Sequence, residues 1–249
     1  MDIATTSKNP SDATEPVPLP WHAIDTVLFD MDGTLLDLHF DNRFWRELIP
    51  DEYARLHAHE PDRARQRLFA EMDRIRGRLE WYCLDHWIRF TGLDLLALKQ
   101  RLVEHVAYQP HAPQVLQTLR RQGKRLVLVT NAHPEVLAFK HSLTGVADHL
   151  HQTVSAHALN CAKEDTCFWD RLQTVERYEP ERTLLVDDNL AALFTARDTG
   201  VSHLRGMRYP DSRGPPMESS DFALLDNLGE LLPARAFIPD GLYGINRQQ

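Results

Sequence analysis

Residues 26–37 read Thr26-Val27-Leu28-Phe29-Asp30-Met31-Asp32-Gly33-Thr34-Leu35-Leu36-Asp37. The first four are β-branched or apolar without alternation, which marks a strand covered on both faces, as in a parallel sheet. The run stops on two carboxylates two residues apart, and Gly33 permits a tight turn that lets both face one point. In parallel α/β sheets ligands bind just beyond the carboxyl ends of the strands. There one carboxylate can attack phosphorus while its neighbour supplies and takes protons.

Two further apolar runs repeat the pattern. Leu126-Val127-Leu128-Val129 ends in Thr130-Asn131, a hydroxyl and an amide that can donate to phosphoryl oxygens or cap the helix expected after Pro134. Thr183-Leu184-Leu185-Val186 ends in Asp187-Asp188. Adjacent acids directly after a buried strand are costly unless something binds them, and Mg²⁺ prefers such oxygen ligands. Residues 201–204 and 152–155 are weaker strand candidates. Helical spacing is expected over 113–122, 134–143, 165–178 and 189–199, with Gly123 and Gly200 as stops. Lys163 precedes the third of these, where a fixed ammonium can neutralise a phosphate oxygen. The alternation predicts an α/β fold, a Rossmann-like three-layer α/β/α sandwich with a mostly parallel sheet.

Residues 40–106 break the alternation. Leu68, Met72, Ile75 and Leu79, then Trp81, Leu84 and Ile88, then Leu95, Leu98, Leu102 and Val106, all fall at helical spacing. An all-helical insert is expected there, between core segments 21–39 and 107–234. Residues 1–20, with Pro10, Pro16, Pro18 and Pro20, are expected to be a disordered tail, and 235–249 a second tail.

Composition narrows the function. The chain of 249 residues is 43% hydrophobic and carries a net charge of −8. Such a balance disfavours a nucleic acid polymer as partner but leaves room for a small phosphate ester in one locally positive pocket. No stretch approaches the ~20 apolar residues of a membrane span, and the polar N-terminus lacks the features of a signal peptide. A cytoplasmic protein is expected. Cys83, Cys161 and Cys167 have no metal or redox spacing and are expected to be reduced thiols. The pairs His57 with His59 and His149 with His151 read as surface histidines. No Gly-x₄-Gly-Lys segment of a P-loop exists.

The order Asp-x-Asp-Gly-Thr (Asp30 to Thr34), Thr (Thr130), Lys (Lys163) and Asp-Asp (Asp187-Asp188) resembles the haloacid dehalogenase superfamily. The resemblance implies Asp30 as nucleophile and Asp32 as general acid/base. It implies Gly33, Thr130, Asn131 and Lys163 around the phosphoryl group. Mg²⁺ would be held by Asp30, the backbone carbonyl of Asp32 and Asp188, with Asp187 behind it, although these last two could be reversed. Dehalogenase members lack the acid at the position of Asp32, so phosphate chemistry is expected. The insert at 40–106 would be the family's helical cap.

Several cap and loop stretches are also similar to the bacterial GMP/IMP nucleotidases: Phe40-Asp41-Asn42 with Phe44-Trp45, Trp81 to Asp85, Thr130 to Pro134, and Lys163-Glu164-Asp165. That similarity implies a Mg²⁺-dependent phosphomonoesterase acting on purine nucleoside 5′-monophosphates. Trp45, Trp81, Tyr82 and Trp87 are then candidates to stack on the base, His133 to reach the substrate, and Asp41 and Asn42 to read ribose hydroxyls or to cap a nearby helix. A sugar-phosphate phosphatase or phosphomutase would share every core motif. A non-catalytic nucleotide binder would not need both Asp30 and Asp32. A phosphotransfer receiver would carry its motifs in the opposite order. The oligomeric state is not legible.

Overall fold

The computed structural model describes residues 18–232. Most of the expected N-terminal tail and all of residues 235–249 lie outside them. Six strands, β1 (Thr26–Phe29), β2 (Arg125–Thr130), β3 (Gln152–Ser155), β4 (Thr183–Val186), β5 (His203–Met207) and β6 (Leu224–Leu225), form one sheet. Their order is β3-β2-β1-β4-β5-β6 and every pairing is parallel. The fifth strand begins two residues later than expected. The sixth, only two residues long, has no sequence signature because so short a run carries no periodicity.

Alternation along the strands sorts the core into two faces. Val27 and Phe29 of β1, Leu126 and Leu128 of β2, and Leu184 and Val186 of β4 point to one side. There they meet Val115, Leu116 and Leu119 of α6 (Ala112–Arg121). Leu28, Val127, Val129 and Leu185 point to the other side. They meet Phe168, Trp169 and Leu172 of α9 (Thr166–Val175) and Leu193 and Ala196 of α10 (Leu190–Asp198). Helices on both faces make the three-layer sandwich. Asp165 and Asn189 cap α9 and α10 through their side chains, so both helices begin at residues that the sequence marks. Leu19, assigned above to the tail, packs against the first face.

Between β1 and β2 the chain forms α1 (His39–Arg43), α2 (Ile49–His57), α3 (Pro61–Ile75), α4 (Leu84–Thr91) and α5 (Leu95–Gln100), with no strand. Phe40, Phe44, Tyr53, Leu68, Trp87 and Leu95 centre a third core cluster, separate from the sheet faces. It is joined by Val136 of α7 (Pro134–Thr144), so the core helix that follows β2 is also the seat of the insert. The stripe ending at Leu79 is interrupted: α3 stops at Ile75 and Gly77 turns the chain at φ +74°. Leu79 packs instead against the second sheet face.

A π-helical turn, Phe44–Leu48, joins α1 to α2. Pro50 has no N–H to offer to the carbonyl of Arg46, and that carbonyl accepts from Arg65 Nη1 at 3.0 Å. Trp45, within this turn, is partly buried against the insert's own core cluster.

Candidate active site

Each apolar strand delivers its polar terminus to the same edge of the sheet. The ends of β1, β2 and β4 meet where the strand order reverses, the crevice that open α/β sheets use for ligands. A short helix, α8 (Ala156–Leu159), follows β3, and the loop after it brings in Lys163. Its Nζ donates to Asp30 Oδ1 and to Asp187 Oδ2, each at 2.6 Å. All three side chains are buried. Carboxylate oxygens of Asp30, Asp187 and Asp188 lie within 4.8 Å of one another. Burial pushes the Asp30 carboxyl up to about 6, against the pull of Lys163. It also raises Asp187 and, with Asp30 and Asp187 adding repulsion, lifts Asp188 well above the usual range. Lys163 is raised in turn, because its two carboxylates outweigh its burial.

The acidic pair is not symmetric. Asp187 spends one oxygen on Lys163 and the other on the backbone N–H of Asn189 at 2.9 Å. Among the described residues, no donor reaches the Asp188 carboxylate. Gly33 sits against it at φ +85°, and a Cβ there would lie 2.5 Å from Asp188 Cγ. The glycine therefore serves the turn and also clears the space beside this acid. Gly33→Ala is expected to lower stability by about 1–3 kcal/mol and to displace Asp188. Urea denaturation would measure the first effect, and calorimetric titration with a divalent cation the second.

Asn131 holds the lysine loop: its Oδ1 accepts from the Lys163 N–H at 3.0 Å and its Nδ2 donates to Glu164 Oε2 at 2.8 Å. Most of its bonding capacity is thus spent on positioning. Trp169 Nε1 and Thr195 Oγ1 fix the Lys163 carbonyl from the other side. Glu164 also accepts from Asn189 Nδ2 at 2.8 Å and from the Tyr82 hydroxyl at 2.5 Å. Tyr82 thereby ties insert to core, and it also lines the cavity between them. Thr130 is buried, and its Oγ1 accepts from the Ala132 N–H at 3.1 Å. Its strand-end pair does not cap α7; His133 does, accepting at Nδ1 from the Glu135 N–H.

A second charged group lies beside the first. Lys140 Nζ, on α7, bridges Asp32 Oδ1 and Asp41 Oδ2 at 2.5 Å each. Lys99 of α5 reaches Asp41 Oδ1 at 3.4 Å. Burial pushes Asp32 up to about 6 despite Lys140. Asp41, equally enclosed, is held below the ordinary range because Lys140 and Lys99 together overcome its burial. Neither lysine was legible in the sequence, since no motif marks either and only the packing of α5 and α7 brings them to Asp41. Asp41 and Asn42 do not cap α1. Asp37 does so from outside the helix, accepting from the His39 N–H, and Asn42 Nδ2 donates to Asp211 at 2.7 Å.

A cavity of 540 Å³ opens between insert and core, lined among others by Asp32, Asp41, Trp45, Trp81, Lys99 and His133. Trp87 also borders it, but is almost fully buried and donates its indole N–H to the Trp81 carbonyl. Trp45 leans on Trp87 with ring centroids 5.1 Å apart.

One expectation is overturned. Cys161 and Cys167 form a disulfide, with Cα atoms 6.2 Å apart. The loop through Lys163 folds back on the first turn of α9, which brings the two cysteines together although their spacing matches no known motif. Cys83 remains a free thiol. No helix among the described residues is long and apolar enough to cross a membrane.

A family model for haloacid dehalogenase-like hydrolases matches residues 24–200. GMP/IMP nucleotidase YrfG of Escherichia coli is 34% identical over 216 residues, covering 87% of this chain and 97% of the relative, and the Shigella flexneri protein of that name matches equally. A crystal structure of a HAD phosphatase from Thermococcus onnurineus superposes with TM-score 0.69 at 24% identity, over 84% of this chain and 96% of the other. L-2-haloacid dehalogenase from Xanthobacter autotrophicus superposes with TM-score 0.50 at 19% identity, over 74% and 78%. The scaffold thus hosts more than one chemistry, and residues rather than fold must select among them. On the match over most of its length and the acidic strand-end site that goes with it, the chain belongs to the haloacid dehalogenase-like hydrolase family.

Proposed function

We propose that the protein is a Mg²⁺-dependent phosphomonoesterase that hydrolyses purine nucleoside 5′-monophosphates, GMP and IMP, through an aspartyl-phosphate on Asp30. The observation that carries the chemistry is the placement of Asp30, Lys163 and Asp187 in one buried cluster, with Asp32 two residues along. The substrate reading rests on the relationship to the GMP/IMP nucleotidases and on the aromatic cavity above the cluster.

The donor set suits a small divalent cation. Asp30, Asp187 and Asp188 crowd together, with Lys163 the one ammonium bonded to them among the described residues. Asp188 has no donor among those residues, and the missing Cβ of Gly33 leaves room beside it. Asp30, Asp188 and the carbonyl of Asp32 would hold the ion, with Asp187 orienting Lys163. Bound Mg²⁺ supplies positive charge that offsets the repulsion between these carboxylates and an incoming phosphate dianion.

In the first step an Asp30 carboxylate oxygen forms a bond to phosphorus as the bond to the 5′-oxygen breaks. Asp32 gives its proton to that oxygen. In the second step Asp32 takes a proton from water, and the hydroxide opens the aspartyl-phosphate, restoring both acids. A carboxyl raised to about 6 suits a group that must be acid in one step and base in the next. Lys163 neutralises Asp30 and a phosphoryl oxygen, while Thr130 offers its hydroxyl. The insert acts as a cap that excludes bulk water.

Phosphate release from nucleoside monophosphates and sugar phosphates, with Mg²⁺ or EDTA, tests this reading. Mg²⁺-dependent release from GMP and IMP is expected. A preference for sugar phosphates would keep the chemistry and overturn the substrate, and release unaffected by EDTA would overturn the metal. Trp45, at the cavity wall, is assigned to stack on the base. Trp45→Ala is expected to raise KM for GMP about 10-fold and to leave KM for p-nitrophenyl phosphate far less changed; equal shifts would remove the stacking role. A cytoplasmic setting belongs to the same proposal, although the Cys161–Cys167 bridge is uncommon there.

A further inference from the structure

Three buried lysines surround the site, and they differ in how their donors are used. Lys163 and Lys140 each hold two carboxylates at 2.5–2.6 Å. Lys99 is as deeply buried, yet among the described residues its one hydrogen bond is long, 3.4 Å to Asp41. Besides the charges of Lys140 and Asp32 nearby, it faces aromatic rings: Phe44 at 4.0 Å, Phe40 at 4.9 Å and Trp45 at 6.0 Å from ring centroid to Nζ. These rings stabilise the cation but accept little from an N–H. An ammonium has three donors, and one that lines a cavity with donors to spare can give one to a ligand's acceptor.

The cavity says which kind. Its walls at Trp45, Trp81 and Phe69 suit a flat heteroaromatic ring. Asp32 marks the end where the ester bond is broken, and Lys99 lines the same cavity, linked to Asp32 through Asp41 and Lys140. A lysine can only donate, so it selects a carbonyl oxygen and disfavours an exocyclic amino group, which turns N–H towards N–H. We propose that Lys99 binds the 6-oxo group of the purine base and sets the preference for 6-oxopurine over 6-aminopurine nucleotides. This rests on the nucleotidase reading and adds the residue that would enforce it.

The test compares kcat/KM for IMP, GMP, AMP and purine riboside 5′-monophosphate, which has hydrogen at C6, with p-nitrophenyl phosphate as the reference ester. Wild type is expected to favour IMP over AMP and over the riboside monophosphate. Lys99→Met is expected to lower kcat/KM for IMP and GMP about 10- to 100-fold relative to the reference ester, collapsing the IMP-to-AMP ratio. Lys99→Arg, which keeps the charge, should retain part of that ratio. The analogue comparison uses wild type alone and so survives a variant that fails to fold. Equal wild-type rates for IMP and the riboside monophosphate would overturn the assignment, as would an IMP-to-AMP ratio unchanged in Lys99→Met. Either result would leave the nucleotidase reading standing. If wild type instead favours sugar phosphates over every nucleotide, that reading falls, and the role of Lys99 with it.

Discussion

Asp30→Asn is expected to abolish turnover, with kcat reduced about 10⁴-fold or more, while the melting temperature stays within a few degrees of wild type. Asparagine is the same shape and keeps an oxygen that can accept from Lys163, so the hydrogen bond at 2.6 Å is retained in kind. It has no carboxylate to attack phosphorus. The substitution also removes a carboxylate that burial holds near 6 rather than 3.8. A carboxyl raised in the folded state weakens stability above its unfolded pKa, increasingly as pH climbs towards 6. Loss of that charge therefore offsets the weakened grip on Lys163 at neutral pH. Acid quenching of a reaction with ³²P-labelled GMP should trap label on wild type and none on the variant. Residual label on Asp30→Asn, or turnover within 10-fold of wild type, would move the nucleophile elsewhere.

Lys163→Met is expected to cost both activity and fold. Its ammonium is the cation bonded to Asp30 and Asp187, and both acids are buried. Removing one partner of a buried ion pair typically destabilises by about 3–5 kcal/mol, because the remaining charge is stranded. Urea denaturation at pH 7.5 would read this loss. The pH dependence has a definite sign. Asp30 and Asp187 already have raised carboxyls, and without the lysine they rise further. The destabilisation should be fullest above those raised values and should shrink as pH falls and the carboxyls take up protons. Added Mg²⁺ should recover part of the stability at neutral pH by replacing the missing charge, but not the positioning of the phosphoryl oxygen. A variant as stable as wild type at pH 7.5 would show that the carboxylates are compensated by other means.

The insert carries a different lesson. Its helical character follows from apolar spacing over residues 40–106, and the third core cluster confirms that most of those residues pack inward. The interruption at Gly77 and the π-helical turn before Pro50 escape a periodicity argument, because each is a local departure from period 3.6 that helix spacing averages away. A second role of Tyr82 escapes the sequence for a related reason. A tyrosine beside Trp81 suggests a stacking surface, and its ring does line the cavity, but that its hydroxyl is bonded to Glu164 on the far side of the cleft follows only from the packing of insert on core.

The sequence alone determined the parallel sheet, the helical insert and the principal carboxylates. Those features are local: unbroken apolar runs force strands buried on both faces, and what directly follows such a run must stand at the sheet edge. Only the tertiary structure decided how the charges are shared. That Asp187 serves Lys163 while Asp188 is left without a donor among the described residues, that Lys140 links Asp32 to Asp41, and that Lys99 makes one long hydrogen bond in an aromatic cavity all depend on elements that only the fold brings together. The approach of Cys161 to Cys167 is local, but it too depends on how the loop between them folds back onto α9. A side chain's hydrogen-bond partner is set by the packing of whole elements to within about an ångström, and residue type and spacing carry no information at that precision.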